Sequence, residues 1–113
     1  MATPESRVKD KIKRWLYATF PSVFEFKPVS NGMGKHGIPD YVCCVPVEIT
    51  PAMVGKTLGV FVGIEAKTEK GRLTKHQEVR LAEIADAGGI VEVVYGTDEG
   101  FERMCESLED QLK

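Results

Sequence analysis

Apolar residues recur at Val8, Ile12, Trp15, Leu16 and Phe20, spaced i, i+4, i+7, i+8 and i+12. That spacing predicts one apolar stripe on a helix, with Asp10, Lys13 and Arg14 opposite it. Thr3-Pro4-Glu5 reads as the helix start: Thr3 caps, Pro4 suits the first helical position and Glu5 the first turn, while Pro21 ends the run. Val23 to Lys27 then alternates with the period of a strand. Ser30 to Gly37 is glycine-rich and aperiodic, a loop. Ile38 to Val45 predicts a second strand, and Pro46 to Lys56 a connection, because Pro46 and Pro51 exclude a central strand there. Thr57 to Lys67 reads as a third, largely buried strand through Leu58, Val60, Phe61, Val62 and Ile64.

Thr74-Lys75-His76-Gln77 matches a capping box at the start of a second helix, which Gly88-Gly89 stops after about Ala87. Ile90 to Tyr95 is a fourth strand. Thr97 or Asp98 caps a last helix with a stripe of Phe101, Met104, Leu108 and Leu112. The order αβββαβα predicts an α/β fold: two or three strands as a meander, the last joined by a crossover, and helices flanking a mixed β-sheet.

Length adds an expectation of one domain over residues 1–113, large enough to bury a core without staples. No apolar run approaches the roughly 18 residues of a membrane span, and the charged N-terminus lacks the apolar region of a signal peptide, so the expected location is cytoplasmic. Cys43, Cys44 and Cys105 are odd in number and two are adjacent, which argues against a disulfide framework and against a zinc knuckle. The net charge of −2 at first argues against a nucleic-acid partner, but its distribution reverses that. Residues 1–80 carry 13 Lys+Arg against 8 Asp+Glu, and residues 81–113 carry 2 against 9. One face thus suits an anionic partner, unless the asymmetry is plain solvated surface.

The chemistry lies where charge meets buried-looking strands. Asp40 opens one strand, and Glu65 and Lys67 end the next after Gly59-Val60-Phe61-Val62-Gly63-Ile64. Strand alternation puts Glu65 and Lys67 on one face, about 7 Å apart at Cα, with Ala66 turned away. Charges there are costly unless paired or bound to a metal. Carboxylates converging from neighbouring strands suit Mg²⁺, which takes oxygen ligands and keeps several waters, and the Ala66 carbonyl offers one more oxygen. Such a cation polarises a phosphoryl oxygen and acidifies a bound water, while Lys67 offsets charge building in the transition state or orients the water.

Pro39-Asp40, 24 residues, then Glu65-Ala66-Lys67 is the PD-(D/E)xK nuclease pattern. With the Gly71-Arg72-Leu73-Thr74 turn, Gln77 early in the next helix, and a Gly88-to-Gly96 segment ending Val93-Val94-Tyr95-Gly96, the chain resembles the VRR-NUC nucleases from Glu5 to about Asp98. The resemblance implies a restriction-endonuclease-like fold, with Asp40, Glu65 and the Ala66 carbonyl as ligands of Mg²⁺ or Mn²⁺ and Lys67 as the catalytic lysine. It further implies that Glu5 completes the metal site through water and that Gln77 sits beside it. Stand-alone family members of this size resemble phage and bacterial proteins that dimerise and resolve branched DNA, so a homodimer acting on four-way (Holliday) junctions is expected.

Plainer readings stand beside these. Glu5 also suits the helix dipole, and Gln77 also suits the capping box, two uses that one amide is not expected to serve together. Lys35, His36, Lys70, Arg72 and Lys75 flank the site as candidate DNA contacts, or are ordinary surface cations and a solvated loop histidine. Trp15 is expected in the core rather than stacked on a base. The rival functions are a non-specific or flap nuclease subunit serving a replication or repair helicase, and a catalytically silent DNA-binding module.

Overall fold

A computed structural model describes residues 4–29, 37, 39 and 41–113, and of Glu5 only its helical backbone. The elements are α1 (Pro4–Thr19), β1 (Phe24–Phe26), β2 (Val42–Cys44), a 3-10 turn (Pro51–Met53), β3 (Val62–Lys67), α2 (Lys75–Asp86), β4 (Ile90–Tyr95) and α3 (Asp98–Leu112). This is the expected αβββαβα order and a mixed α/β architecture consistent with a restriction-endonuclease-like fold. Among the described residues the strands form two separate pairs rather than the single mixed sheet expected, because β3 pairs with β4 and not with β2. β1 and β2 run antiparallel, with Glu25 opposite Cys43; β3 and β4 run parallel, with Glu65 opposite Val93. The parallel pair needs a crossover, and α2 provides it.

Alternation along β3 and β4 places helices on opposite faces of that pair. Gly63, Glu65 and Lys67 face α2: a Cβ on Gly63 would meet Ile84 Cδ1 at 3.0 Å, and Gln77 bonds Glu65 at 2.8 Å. Glu92 faces the other way and accepts a short hydrogen bond from Ser107 of α3. Helix ends follow the local chemistry. Thr74 and Gln77 form the reciprocal capping box, Gly88 stops α2 at φ +91°, and Thr97 Oγ1 accepts from the Gly100 N–H at 2.9 Å to start α3. Gly89 lets the chain turn close under α2, since a Cβ there would lie 2.7 Å from Ile84 Cγ2 and 3.1 Å from the Phe61 carbonyl oxygen.

Three further expectations are corrected. The third strand spans Val62–Lys67 rather than 57–67; Leu58 and Val60 precede it on exposed chain, and Ile64 within it is 52% exposed. The stripe of α1 is not a core stripe: Leu16 is buried, but Val8, Ile12 and Trp15 are exposed. The reason is how α1 is rolled. Its contacts to β1 and β2 run through Lys13 and Tyr17, which reach Glu25, and through the Lys9 carbonyl, which accepts from the Tyr41 hydroxyl at 3.2 Å. That places the Val8–Trp15 edge at the side rather than beneath. In α3, Met104 and Leu108 are half-buried while Phe101 and Leu112 stay exposed. Among the described residues the buried apolar side chains are Leu16, Val23, Cys44, Ile84 and Ala87. The three cysteines are free, as expected.

Candidate active site

β3 carries Glu65 and Lys67 to the end of the parallel pair, where α2 begins. The two side chains share a face as the alternation requires, and Lys67 Nζ lies 3.7 Å from Glu65 Oε1. Both are partly shielded, with Lys67 17% and Glu65 30% exposed, so their charges interact through less water than a surface pair. Ala66 points to the opposite side and is exposed.

Gln77 closes the group. Its Oε1 accepts the Thr74 backbone N–H at 3.0 Å, and the Gln77 N–H donates to Thr74 Oγ1 at 3.2 Å. The backbone N–H can be met only by the amide oxygen, so the amide nitrogen is left facing the strand. Gln77 Nε2 donates to Glu65 Oε1 at 2.8 Å, a charge-assisted bond. The two uses expected to conflict are therefore compatible: one end of the amide caps α2 and the other end holds the carboxylate.

Asp40, Lys35 and His36 lie outside the described residues, and so does the side chain of Glu5. The start of β2 is nevertheless fixed next to α1, because Tyr41 bonds the Lys9 carbonyl and its ring lies 5.2 Å from Lys27 Nζ. Lys70 and Arg72 are exposed on the stretch between β3 and α2, and Lys75, the exposed first residue of α2, pairs with Glu78 at 3.9 Å. Gly71 makes that stretch tight: its N–H bonds the Thr68 carbonyl at 3.0 Å, and a Cβ would come within 3.3 Å of Lys67 Cβ.

Among the described residues no three His, Cys, Asp or Glu side chains cluster as a cation site. The donor chemistry still fits a divalent cation. Glu65 spends Oε1 on Gln77 and Lys67, while Oε2 takes no partner among the described residues and is open to a hard cation.

Glu25 escaped the reading of the sequence. Its side chain is only 9% exposed, and it accepts from the Tyr17 hydroxyl at 3.1 Å with Lys13 Nζ at 3.8 Å. It pins α1 to β1. Its place between Phe24 and Phe26 marked it as facing the opposite side of the strand, but nothing local named its partners.

The VRR-NUC domain family matches residues 23–98. Neither the curated proteins nor the solved structures yield a significant match. The matched span covers two thirds of the chain and contains Asp40, Glu65, Lys67 and Gln77. With β3, the Gly71 turn and the α2 capping box arranged around Glu65, the chain belongs to the VRR-NUC domain family, a nuclease domain of the PD-(D/E)xK superfamily.

Proposed function

We propose that the protein is a Mg²⁺- or Mn²⁺-dependent DNA endonuclease, selective for branched substrates and acting on four-way junctions as a homodimer. The observation that carries the nuclease reading is the Gln77–Glu65–Lys67 group at the end of a strand within a VRR-NUC domain. A cation bound there would supply polarisation of the phosphoryl oxygen and a more acidic water. Glu65 would hold it through Oε2, with Asp40 and the Ala66 carbonyl as the other protein ligands and Glu5 reaching it through water. Gln77 fixes the Glu65 carboxylate in one orientation by its 2.8 Å bond. Lys67 brings a cation to the phosphate as negative charge grows on its oxygens. Lys70 and Arg72, exposed just beyond β3, and Lys75 at the start of α2 would meet flanking phosphates, and Lys35 and His36 would join them.

The dimer rests on surface. Val47, Ile49, Val54, Leu58 and Val60, all in the connection before β3, are each more than half exposed. Apolar exposure concentrated in one segment favours a covering partner. A four-way junction offers two symmetric strands, and a two-fold dimer presents two identical sites.

The test is cleavage of labelled linear, flap, splayed-arm and four-way-junction DNAs, with Mg²⁺, with Mn²⁺ and with EDTA, wild type beside Lys67→Ala. Paired symmetric nicks in the junction that require metal and Lys67 are expected. Equal cutting of every substrate would remove the branch selectivity, and no cutting under any condition would remove the endonuclease.

A further inference from the structure

α1 presents a surface that neither the fold nor the cleavage chemistry uses. At about 100° per residue, Arg7, Lys11 and Arg14 fall within about 60° of one another, on the side of the helix opposite the buried Leu16. All three are exposed, and none pairs with a carboxylate among the described residues. They line one shallow concavity with Lys13, Tyr17 and Asp10, whose carboxylate offsets one of the charges. Lys13 is drawn aside toward Glu25 at 3.8 Å, which leaves the other three as a row.

Beside the row stands Trp15, about 40° around the helix from Lys11 and 58% exposed. Its ring meets Phe20 edge-on, with centroids 5.9 Å apart, so Phe20 steadies the indole without covering it. An exposed, braced indole next to unpaired cations combines a phosphate track with a stacking platform, which are the two parts of a single-strand surface.

Resting on the nuclease reading, we infer that the outer face of α1 holds a single-stranded DNA segment of the substrate, with Arg7, Lys11 and Arg14 on its phosphates and Trp15 against an unpaired base. Spacing agrees. Arg7 to Arg14 spans about 10.5 Å of helix, long enough to meet more than one phosphate of a strand. The Tyr41–Lys9 bond anchors the same helix to the chain entering β2, so a strand held on α1 is held on the nuclease domain. A second copy suits this face poorly, because two-fold symmetry would set cations against cations.

The experiment is fluorescence-anisotropy binding of the full chain to a labelled single strand and to its duplex, in EDTA, across 50 to 200 mM salt. The variants are a combined Arg7→Gln, Lys11→Gln, Arg14→Gln protein and a separate Trp15→Ala protein. Three lost phosphate contacts make the slope of log K against log salt for the single strand shallower by about 2.1, so wild type loses about 18-fold more affinity over that range than the triple variant. Trp15→Ala should weaken the single strand roughly tenfold and leave the duplex unchanged. Circular dichroism should show full helix in both variants, since every replaced residue is exposed.

A slope unchanged in the triple variant overturns the phosphate track, and equal effects of Trp15→Ala on both DNAs overturn the stacking. Sedimentation showing that the triple variant splits a wild-type dimer would assign the face to a second copy instead and overturn the inference. Wild-type protein that binds no DNA at any salt would remove the nuclease reading and this inference with it. Wild-type binding and cleavage with no role for α1 would remove the inference alone.

Discussion

Gln77→Glu separates the two tasks of one side chain. A glutamate keeps an oxygen for the Thr74 N–H, so the start of α2 is retained. It loses the donor that meets Glu65 at 2.8 Å and puts a second carboxylate in its place. Two such charges relaxed to about 4 Å cost about 1 kcal/mol through water and about 4 kcal/mol at the effective dielectric near a protein surface. Glu65 is 30% exposed, which places the cost near the middle, about 2 kcal/mol. The lost charge-assisted bond adds about 1 kcal/mol at such a half-open position. A total of about 3 kcal/mol lowers the melting temperature by roughly 12 °C for a chain of this size.

Thr74→Ala is the control, because it removes the cap and leaves the Gln77–Glu65 bond. It should cost about 1 kcal/mol, or roughly 4 °C. The assay is thermal unfolding in EDTA and again in saturating Mg²⁺. A cation at Glu65 neutralises the added carboxylate, so Gln77→Glu should recover more than half of its loss with Mg²⁺ while Thr74→Ala recovers none of its own. Gln77→Glu melting no lower than Thr74→Ala in EDTA would refute the contact with Glu65. A Mg²⁺ shift equal in wild type and Gln77→Glu would refute Glu65 as a ligand.

Lys67→Ala should abolish cleavage and barely move the melting temperature, because a 3.7 Å partly exposed pair contributes at most about 1 kcal/mol; unfolding of the variant would make Lys67 structural. Asp40→Asn should remove Mg²⁺ binding in calorimetry, and unchanged affinity would sink its role as a ligand. Gly89→Ala places a methyl 2.7 Å from Ile84 Cγ2 and should cost about 1 to 3 kcal/mol, read as a melting temperature lower by roughly 4 to 12 °C. Burial holds the Cys44 thiol above its ordinary value, so its neutral form stabilises the fold below the unfolded-state pKa, and that contribution is lost as pH rises through the folded one. Melting temperatures of Cys44→Ala and wild type should therefore converge above about pH 9, where the reference thiol ionises; a constant gap from pH 7 upward would exclude the linkage.

What the sequence made legible was what short-range rules govern. The ends of α2 and α3 follow from Thr74, Gln77, Gly88 and Thr97, whose partners lie within a few residues. β4 matches Ile90 to Tyr95 because its apolar run is closed by glycine at both ends. The shared face of Glu65 and Lys67 follows from strand alternation alone. The parts not legible depend on long-range packing. The stripe of α1 has helical spacing, but spacing cannot say which side of the helix meets β1, and the pin through Glu25, Tyr17 and Lys13 turns Trp15 outward. Leu58 and Val60 have the composition of a strand, yet pairing with β4 begins only at Val62, whose partner is Ile90.

The capping box and the carboxylate together make the site a product of the helix start. In an isolated helix the glutamine of a capping box is a local device, and its value ends with the first turn. Here the same amide spans from Thr74 to Glu65, twelve residues back across the turn at Gly71. Fraying of α2 would release Gln77 from Thr74 and with it the orientation of Glu65. Folding of the first turn of α2 and alignment of the carboxylate are then one event. Cation binding at Glu65 should accordingly slow hydrogen exchange at the Gln77 and Glu78 amides, which bond Thr74 Oγ1 and the Thr74 carbonyl. Exchange at those two amides that is indifferent to Mg²⁺, in a protein that binds it, would show the helix start and the site to be independent.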